Sequence, residues 1–306
     1  PYVPQYPLVE HCANTRCIIC TPVNGPYYQL VDSYPYTVHH LSDHPPVPYP
    51  LDTFYRANPI PQDTRRTHYG VSGTPRAFLN GIQVRQGQSL IPAAKMQEVQ
   101  DLNAGLEVQV DEVVIQGQMQ LAVNVKTIDS SLIPHSGNFL LFVVVIEDSV
   151  YFEAPNGENW HKNIFRDALT SMEGESFLPA VQGGAVPFNY SYQPDSNWQA
   201  NRLQTLAFVF HENGEFINSG TPQNLRVSTS SLPSTSQEDG SATATVKGGL
   251  PPYSYQWNDP DSQQTAIANR LDAGIYLVTV KDLNGIEIQA EVEVNSTVNN
   301  EKMEET

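Results

Sequence analysis

The chain has 306 residues, of which 40% are hydrophobic, and it carries a formal net charge of −17. A chain of this length predicts two or three domains, and its negative charge argues against nucleic acid and against an anionic membrane surface as partners. No apolar run approaches the roughly 20 residues that a membrane-spanning helix needs. The charge is uneven, because residues 1–104 hold seven Lys or Arg and seven Asp or Glu, whereas residues 105–306 hold nine and 26.

Predicted strands and helices alternate over residues 1–104. The apolar patterns and turn signals place strands at residues 6–12, 38–41 and 75–80, and helices at residues 63–69 and 92–102. A hairpin turn is predicted at Asn80-Gly81. Pro22 and Pro26 predict that a helix between the first two strands is kinked or starts late. The pattern therefore predicts an α/β domain over residues 1–104.

Three cysteines occur, and all of them lie near the start of the chain. Cys17 and Cys20 have the Cys-x-x-Cys spacing of a redox pair, which is also the spacing of half a zinc site. Thr74-Pro75 lies downstream, where a thioredoxin-like fold places a cis-proline loop against such a pair, although few x-Pro bonds are cis. The two motifs in this order favour a thioredoxin-like fold. Cys12 is interpreted as a small buried hydrophobe, with a resolving or regulatory thiol as the alternative.

The paired cysteines have a catalytic and a structural interpretation. In the catalytic one, Cys17 meets solvent at a helix start that favours its thiolate, and acts as the nucleophile, while Cys20 is the resolving thiol. Thr74-Pro75 then offers a backbone edge to an extended substrate. Glu10 is a candidate proton-handling carboxylate beneath the pair, or else an ordinary strand-end charge. In the structural interpretation, Cys17–Cys20 is a permanent disulfide in an oxidising exterior.

Histidines are concentrated in the same part of the chain, and with cysteine they suit copper or zinc. They are His11, His39, His40, His44 and His68. His39 and His40 are adjacent in a predicted strand and point to opposite faces, which disfavours a shared metal site. The acidic stretches 258–261 and 282–284 suit solvated turns better than calcium sites. We therefore predict no metal and no cofactor.

In the second part of the chain the apolar period changes to two, which is typical of strands. Residues 105–227 are predicted to form a β-sandwich with one short helix at residues 163–172. The Ser/Thr/Pro-rich residues 228–236 are predicted to be a linker. Residues 237–295, with four alternating strands, predict a small immunoglobulin-like β-sandwich, and residues 296–306 an acidic, unstructured tail. The predicted fold class is α/β plus all-β.

Several motifs near the start of the chain resemble a known family. They are Val9-Glu10-His11 leading to Cys17 and Cys20, His44-Pro45, Tyr69-Gly70-Val71 with Gly73-Thr74-Pro75-Arg76, and Asn80-Gly81. These motifs resemble the thioredoxin-like domain of outer-membrane and secreted proteins of the Bacteroidota, the 28-kDa outer-membrane-protein-related family. The resemblance implies a thioredoxin-like domain followed by a β-rich region. Cys12 and the pair Ile18-Ile19 depart from the pattern of that family.

Residues 248–257 and 271–285 resemble the repeat of gliding-motility adhesins of the SprB type. This resemblance implies a location at the cell surface. Proteins built this way commonly end in a type IX secretion sorting domain that is removed on export. A start at Pro1 and an acidic end at Thr306 are what we expect of such a trimmed product.

Two functions follow from these patterns. The first is a secreted or cell-surface thioredoxin-like protein that exchanges disulfides in extracellular proteins through Cys17 and Cys20. The alternative is a non-catalytic adhesion or surface-assembly protein in which Cys17–Cys20 is a structural disulfide. Either function implies a location outside the cell or on the exterior of the outer membrane. The expected partners are extracellular or surface proteins, including further copies of the chain, and neither nucleic acid nor a membrane span is expected.

Overall fold

The structure is a computed structural model that describes residues 2–235 and 238–296. The predicted acidic tail, apart from its first residue, lies outside the described residues. The chain divides into a larger compact unit, Gln5–Pro222, and a smaller one, Pro1–Pro4 with Gln223–Thr306. Within the described part of the chain, no helix is both long enough and apolar enough to cross a membrane.

The larger unit begins with a mixed α/β region and continues with strands. In the α/β region the elements are β1 (Leu8–Cys12), α1 (Thr21–Asp32), β2 (His39–Asp43), α2 (Thr53–Ala57), α3 (Pro59–His68), β3 (Arg76–Leu79) and α4 (Ala93–Glu98). The strands that follow are β4 (Leu106–Ile115), β5 (Gln118–Thr127), β6 (Phe139–Glu147), β7 (Val150–Tyr151), β8 (Trp160–His161), β9 (Ile164–Ala168), β10 (Glu175–Phe177), β11 (Ala185–Tyr192), β12 (Leu203–His211) and β13 (Phe216–Gly220).

One eight-stranded sheet forms the centre of the larger unit. Its strands follow the order β13-β12-β6-β9-β2-β1-β3, and β10 pairs with β6 outside this path. β1 is parallel to β2 and antiparallel to β3. β9 connects the two regions, because it pairs antiparallel with β6 and parallel with β2. Strands from residues 1–104 and 105–227 thus share one sheet, and the boundary between these two regions stays a prediction.

A second sheet, β11-β5-β4, packs on the β-rich part of the large sheet. Its strands alternate as the sequence predicts, with Leu106, Val108 and Val110 of β4 buried between more exposed residues. These side chains share one core with residues of β6 and β12, namely Phe139, Leu141, Val143, Ala207 and Val209. The arrangement is sandwich-like, which confirms the predicted two-sheet character of this region.

A separate core joins the helices to β1 and β3. It contains Val9 of β1, Tyr27 and Val31 of α1, and Met96 of α4, all buried. Because β1 lies between β2 and β3, its five residues are all buried, on both faces of the sheet. The end of β1, where the paired cysteines begin, is therefore fixed by packing on both sides.

One local prediction in the larger unit is wrong, and a second holds only in part. The helix predicted at residues 163–172 is instead the strand β9, because Ile164 and Phe165 are buried where β9 pairs with β2 and β6. The hairpin predicted at Asn80-Gly81 is reduced to a single bridge between Leu79 and Ile82. Asn80 and Gly81 both have positive φ, 51° and 80°, so the turn itself forms as expected.

The smaller unit contains two three-stranded sheets, β14-β15-β17 and β16-β18-β19. Their strands are β14 (Arg226–Leu232), β15 (Gly240–Lys247), β16 (Ser254–Trp257), β17 (Ile267–Leu271), β18 (Gly274–Lys281) and β19 (Glu287–Val294). Four of these strands match the four predicted ones. The largest fully buried side chain is Trp257, whose Nε1 donates to Thr265 O at 2.9 Å.

Most of the predicted linker is a strand, so the linker assignment is corrected. Residues of β14 pair with β15, and the hydroxyls of Thr229 and Ser231 donate to the carbonyl oxygens of Glu291 and Glu293 at 2.8 and 2.7 Å. Serine and threonine indicate a linker by composition, but their hydroxyls also satisfy the backbone of a neighbouring strand. In this segment the hydroxyls bond to the backbone of β19, and the residues form a strand.

The segment 223–296 is expected to unfold cooperatively when expressed alone, because both of its sheets are complete within it. The shorter segment 237–295 lacks β14 and is expected to melt at a lower temperature. Thermal unfolding of both segments, followed by circular dichroism, measures this difference. Equal melting temperatures would mean that β14 contributes nothing to the unit.

Candidate functional site

The paired cysteines lie in the loop that joins β1 to α1. The backbone N–H of Cys17 donates to Asn14 O at 3.0 Å, and that of Cys20 donates to Cys17 O at 3.1 Å, so the loop consists of tight turns. Cys20 is the N-cap of α1, and a proline lies in the first turn of the helix, where its missing N–H is not needed. A disulfide joins Cys17 and Cys20, whose Cα atoms are 5.3 Å apart.

The disulfide is buried, although the residues between its cysteines are not. Cys17 is 1% exposed and Cys20 is 0% exposed, whereas Ile18 and Ile19 are 71% and 61% exposed. The loop therefore directs two isoleucines outward and both cysteines inward. The expectation that Cys17 meets solvent is wrong.

Thr74 and Pro75 cover part of the disulfide. The peptide bond between them is cis, and Thr74 O lies 3.5 Å from Cys17 Sγ, which confirms the contact that the sequence predicts. Both residues are buried. The two residues that we expected to offer a backbone edge to a substrate are therefore buried in this structure.

A loop from the β-rich region also covers the cysteine loop. Residues 152–159, between β7 and β8, are called here the covering loop. The side chain of Asn156 donates to the carbonyl oxygens of Asn14 and Cys17, both at 3.3 Å. Its backbone N–H donates to Thr15 O at 3.0 Å. One residue of the covering loop thus binds three backbone oxygens of the cysteine loop.

The covering loop is also bound to α1. The Thr21 hydroxyl donates to Asn156 O at 3.0 Å, and the Asn24 side-chain amide donates to Glu158 Oε1 at 2.8 Å. Glu158 accepts a further bond at 2.8 Å from the Asn156 side chain, which fixes the rotamer of that side chain. The first two turns of α1 and the covering loop are therefore one hydrogen-bonded assembly.

Glu10 is fully buried and forms an ion pair with Arg65 of α3. Arg65 Nε and Nη2 donate to the two carboxylate oxygens at 2.5 and 2.6 Å, and the Tyr69 hydroxyl donates to the same carboxylate. Burial alone lowers the pKa of Arg65, but the adjacent Glu10 carboxylate raises it overall. Four aromatic rings surround the guanidinium, those of Tyr69, Phe142, Phe208 and Phe210.

Asp52 fixes the start of the cysteine loop, a role that the sequence analysis missed. Its Oδ2 accepts from the backbone N–H and the hydroxyl of Thr15 at 2.6 and 2.8 Å, and lies 3.1 Å from His44 Nδ1. Its Oδ1 caps α2 by accepting from the N–H groups of Phe54 and Tyr55. Burial alone raises the pKa of Asp52, but His44 and these N–H donors lower it well below its usual value.

The predicted histidines do not converge on one point. His11 and His40 lie near each other beneath α1, with ring centroids 6.1 Å apart, and His44 lies 6.1 Å from His161. Burial lowers the pKa of His40 to about 3 and that of His161 to about 4. Over the described ranges, no group of three or more His, Cys, Asp or Glu is arranged to hold a metal ion.

Two site residues had no functional signal in the sequence. Asp52 precedes a short helix and is a residue type that is common at the N-cap. Its sequence position therefore predicts the capping role, but nothing in the sequence predicts its bond to Thr15. Asn156-Gly157 is recognisable as a turn, and Gly157 has a φ of 91°. Nothing in the sequence places this turn against residues that lie about 140 positions earlier.

Comparison with known families gives two matches. The model of the family described as outer membrane protein Omp28 matches residues 62–225, which is more than half of the chain. The model of the SprB repeat matches residues 236–262. A search among curated proteins gives no match.

Two solved structures from Porphyromonas gingivalis are similar to this chain. HBP35 has 15% identity and a TM-score of 0.60, with 96% of this chain and 98% of that chain covered. A domain of the outer membrane lipoprotein Omp28 has 17% identity and a TM-score of 0.28, with 39% of this chain and 86% of that chain covered. At this identity the first likeness is evidence of a shared fold alone, and the second carries no argument.

Proposed function

Because the chain belongs to the Omp28 family of outer membrane proteins, we propose that it is a non-catalytic adhesion or surface-assembly protein in which Cys17–Cys20 is a structural disulfide. Its family and its SprB repeat locate it at the cell surface or outer membrane. The observation that carries the proposal is the burial of the disulfide, since both cysteines are at most 1% exposed.

Burial matters because disulfide exchange requires direct attack on a sulfur atom. An attacking thiolate must approach the sulfur from outside, and its rate depends on access as well as on thiolate chemistry. Here Thr74 O contacts Cys17 Sγ, and the covering loop is bound to the cysteine loop. A protein substrate has no path to either sulfur unless one of these segments moves.

Glu10 supports the same conclusion. A proton-handling carboxylate needs an oxygen that is free to accept a proton during the reaction. Both oxygens of Glu10 are instead engaged by Arg65, and one of them also accepts from the Tyr69 hydroxyl. We assign Glu10 a structural role, which is to pair with Arg65 between β1 and α3.

We also propose that the α/β region is thioredoxin-like. The arrangement that supports this assignment is β1 between a parallel β2 and an antiparallel β3, with the cysteine pair between the end of β1 and the start of α1. In our proposal this region keeps the fold and uses its disulfide to hold the cysteine loop. Export by a type IX secretion system and an origin in the Bacteroidota are further proposals, which rest on the resemblance of the sequence.

Thiol-disulfide exchange is the second candidate function. Two observations favour it: Cys20 begins a helix, and Thr74 lies in contact with Cys17. Asn156 and Glu158 of the covering loop are attached by hydrogen bonds. Phe152, at the start of the loop, packs on the apolar cluster of Phe54, Val150 and Ile164, so only the part of the loop beyond Phe152 can be displaced without opening an apolar core. In this case the covering loop acts as a gate, and exchange depends on how often it opens.

A reduction experiment separates the two candidates. The full chain is incubated with dithiothreitol, and the loss of the disulfide is followed by alkylation and mass spectrometry, with insulin reduction measured in parallel. A structural disulfide is expected to react slowly and to give no insulin turnover. Sustained insulin turnover by the wild-type chain would contradict the proposal and favour exchange.

Replacing Asn156 with alanine is expected to accelerate reduction of the disulfide. The change removes the side-chain bonds to Asn14 and Cys17, which contribute about 1–2 kcal/mol. Reduction limited by opening of the covering loop then becomes roughly 5- to 30-fold faster. Asn197→Ala is the matched control, since among the described residues that exposed asparagine bonds within its own turn, to Asp195. Equal rates for both variants would mean that the covering loop does not restrict access.

A further inference from the structure

The end of strand β4 is an exposed apolar sheet edge. β4 is the outer strand of the sheet β11-β5-β4 and pairs only with β5 along its described length. Its last three residues, Val113, Val114 and Ile115, are 55%, 61% and 53% exposed. Consecutive strand residues point to opposite faces, so this segment exposes apolar side chains on both faces as well as its outer backbone edge.

Natural proteins usually protect such an edge. The common devices are charged side chains, prolines and β-bulges. The pairing of β4 with β5 continues without a register shift from Leu106↔Thr127 to Ile115↔Gln118, so the edge contains no bulge. From Val113 to Met119 the sequence contains no charged residue and no proline. Asp111 and Glu112 place charged side chains on the strand just before this segment. The edge therefore lacks charged residues at the end of the strand, from Val113 onward.

We propose that Val113–Ile115 pairs edge to edge with the same segment of a second copy of this chain, in antiparallel orientation. Unpaired backbone groups at a sheet edge are completed by another strand, and an antiparallel pair of identical segments forms a closed two-fold contact. When the pair is centred on Val114, Val113 lies opposite Ile115 of the second copy. All six facing side chains are then apolar and β-branched.

The charges of the chain fit this register. Beyond the three paired residues, Asp111 and Glu112 approach the β4–β5 turn of the second copy, where Gln116 and Gly117 have positive φ, 52° and 81°, and carry no charge. No like charges face each other, although the whole chain is strongly acidic. The acidic residues beside the segment also explain why a lipid surface is a poorer occupant, since anionic lipid repels them.

The contact is small and therefore weak. Three or four residue pairs bury far less than the roughly 1,200 Å² of a stable protein interface. Many copies held on one surface raise the effective concentration of each for its neighbours, and weak contacts are then populated. The proposal goes beyond the function argued above and does not depend on the redox state of Cys17–Cys20, because the described hydrogen bonds of the cysteine loop join it to other segments than β4.

Single-cysteine cross-linking tests the contact directly. Cysteine is introduced at position 113, 114 or 115 of the full chain, where it is the accessible thiol, since Cys12 is buried and the other two cysteines are bonded. Oxidised glutathione is the oxidant, and dimers are counted on a non-reducing gel. Val181→Cys is the control, because Val181 is 85% exposed and lies outside the strands.

The proposal predicts at least tenfold faster dimer formation for one or more of the three β4 variants than for Val181→Cys. Equal rates at all four positions overturn it. Sedimentation of the wild-type chain at high concentration, with Val114→Lys and Val181→Lys, gives the second measurement. We expect Val114→Lys to weaken self-association at least tenfold with an unchanged melting temperature, and Val181→Lys to have no effect. Unchanged association of Val114→Lys assigns the contact to another surface and also overturns the proposal.

Discussion

Replacing Arg65 with methionine is expected to lower the free energy of unfolding by about 3–5 kcal/mol, because it leaves the Glu10 carboxylate buried without its charged partner. Both side chains are at most 2% exposed, so water cannot compensate for the loss. Arg66→Met is the matched control on the same helix. Arg66 is 30% exposed and pairs with the exposed Asp63, so its loss is expected to cost at most about 1 kcal/mol.

Urea unfolding of the full chain measures both changes. The double variant Glu10→Gln with Arg65→Met removes the unpaired charge and is expected to recover part of the lost stability. If Arg65→Met is no more destabilising than Arg66→Met, the Glu10–Arg65 pair does not stabilise the fold and the structural role assigned to Glu10 is wrong.

The second large effect is a loss of stability in acid that depends on His40. Burial, together with the nearby charge of Lys162, lowers the pKa of His40 from an ordinary 6.5 to about 3. The folded state thus holds this histidine neutral, while the unfolded state takes up a proton below about pH 6.5. The contribution to stability is complete above that pH and is lost as the pH falls toward 3. Between pH 7 and pH 4.5 the expected loss is about 2–3 kcal/mol.

Urea unfolding of wild type and of His40→Gln at pH 7 and at pH 4.5 isolates this contribution. For each protein the readout is the free energy of unfolding at pH 7 minus that at pH 4.5. Any cost of the substitution that is the same at both pH values therefore cancels. His40→Gln is expected to lose about 2–3 kcal/mol less than wild type over this range. The exposed His135→Gln is the control and should follow wild type. Asp43 acts in the opposite direction, because burial and the nearby Glu10 raise its pKa to about 7.

The local chemistry of the cysteine region was predictable from the sequence. The Cys-x-x-Cys spacing predicted a pair that can form a disulfide, and the order of motifs predicted the contact of Thr74 with Cys17 and the cis bond before Pro75. Turn residues and alternating strands are local signals. Such signals predict the secondary structure correctly where the local backbone adopts the conformation that its own residues favour.

The accessibility of the site was not predictable, because it depends on contacts between distant parts of the chain. The covering loop contacts the cysteine loop across about 140 residues of sequence, and neither segment carries a signal for the other. β9 was mistaken for a helix for a similar reason. The apolar residues of β9 show no clear helix or strand period. Its pairing with β2 and β6 decides its conformation.

The structural role that we propose for Glu10 also rests on tertiary packing. A carboxylate near a cysteine pair has a catalytic and a structural interpretation in sequence alone. Arg65 is 55 residues away, and only the fold shows that its guanidinium donates two bonds to that carboxylate. The same holds for Asp52, whose capping pattern is local but whose bond to Thr15 is not.

The reduction potential of Cys17–Cys20 tests the central claim most directly. The full chain is equilibrated with dithiothreitol buffers of defined potential, trapped with an alkylating agent and analysed by mass spectrometry. A structural disulfide is expected to have a potential below about −300 mV, and disulfide oxidoreductases have potentials of about −270 to −120 mV. A value below −300 mV is the result that our account predicts. A value within the oxidoreductase range would contradict it and would assign Cys17 and Cys20 to exchange.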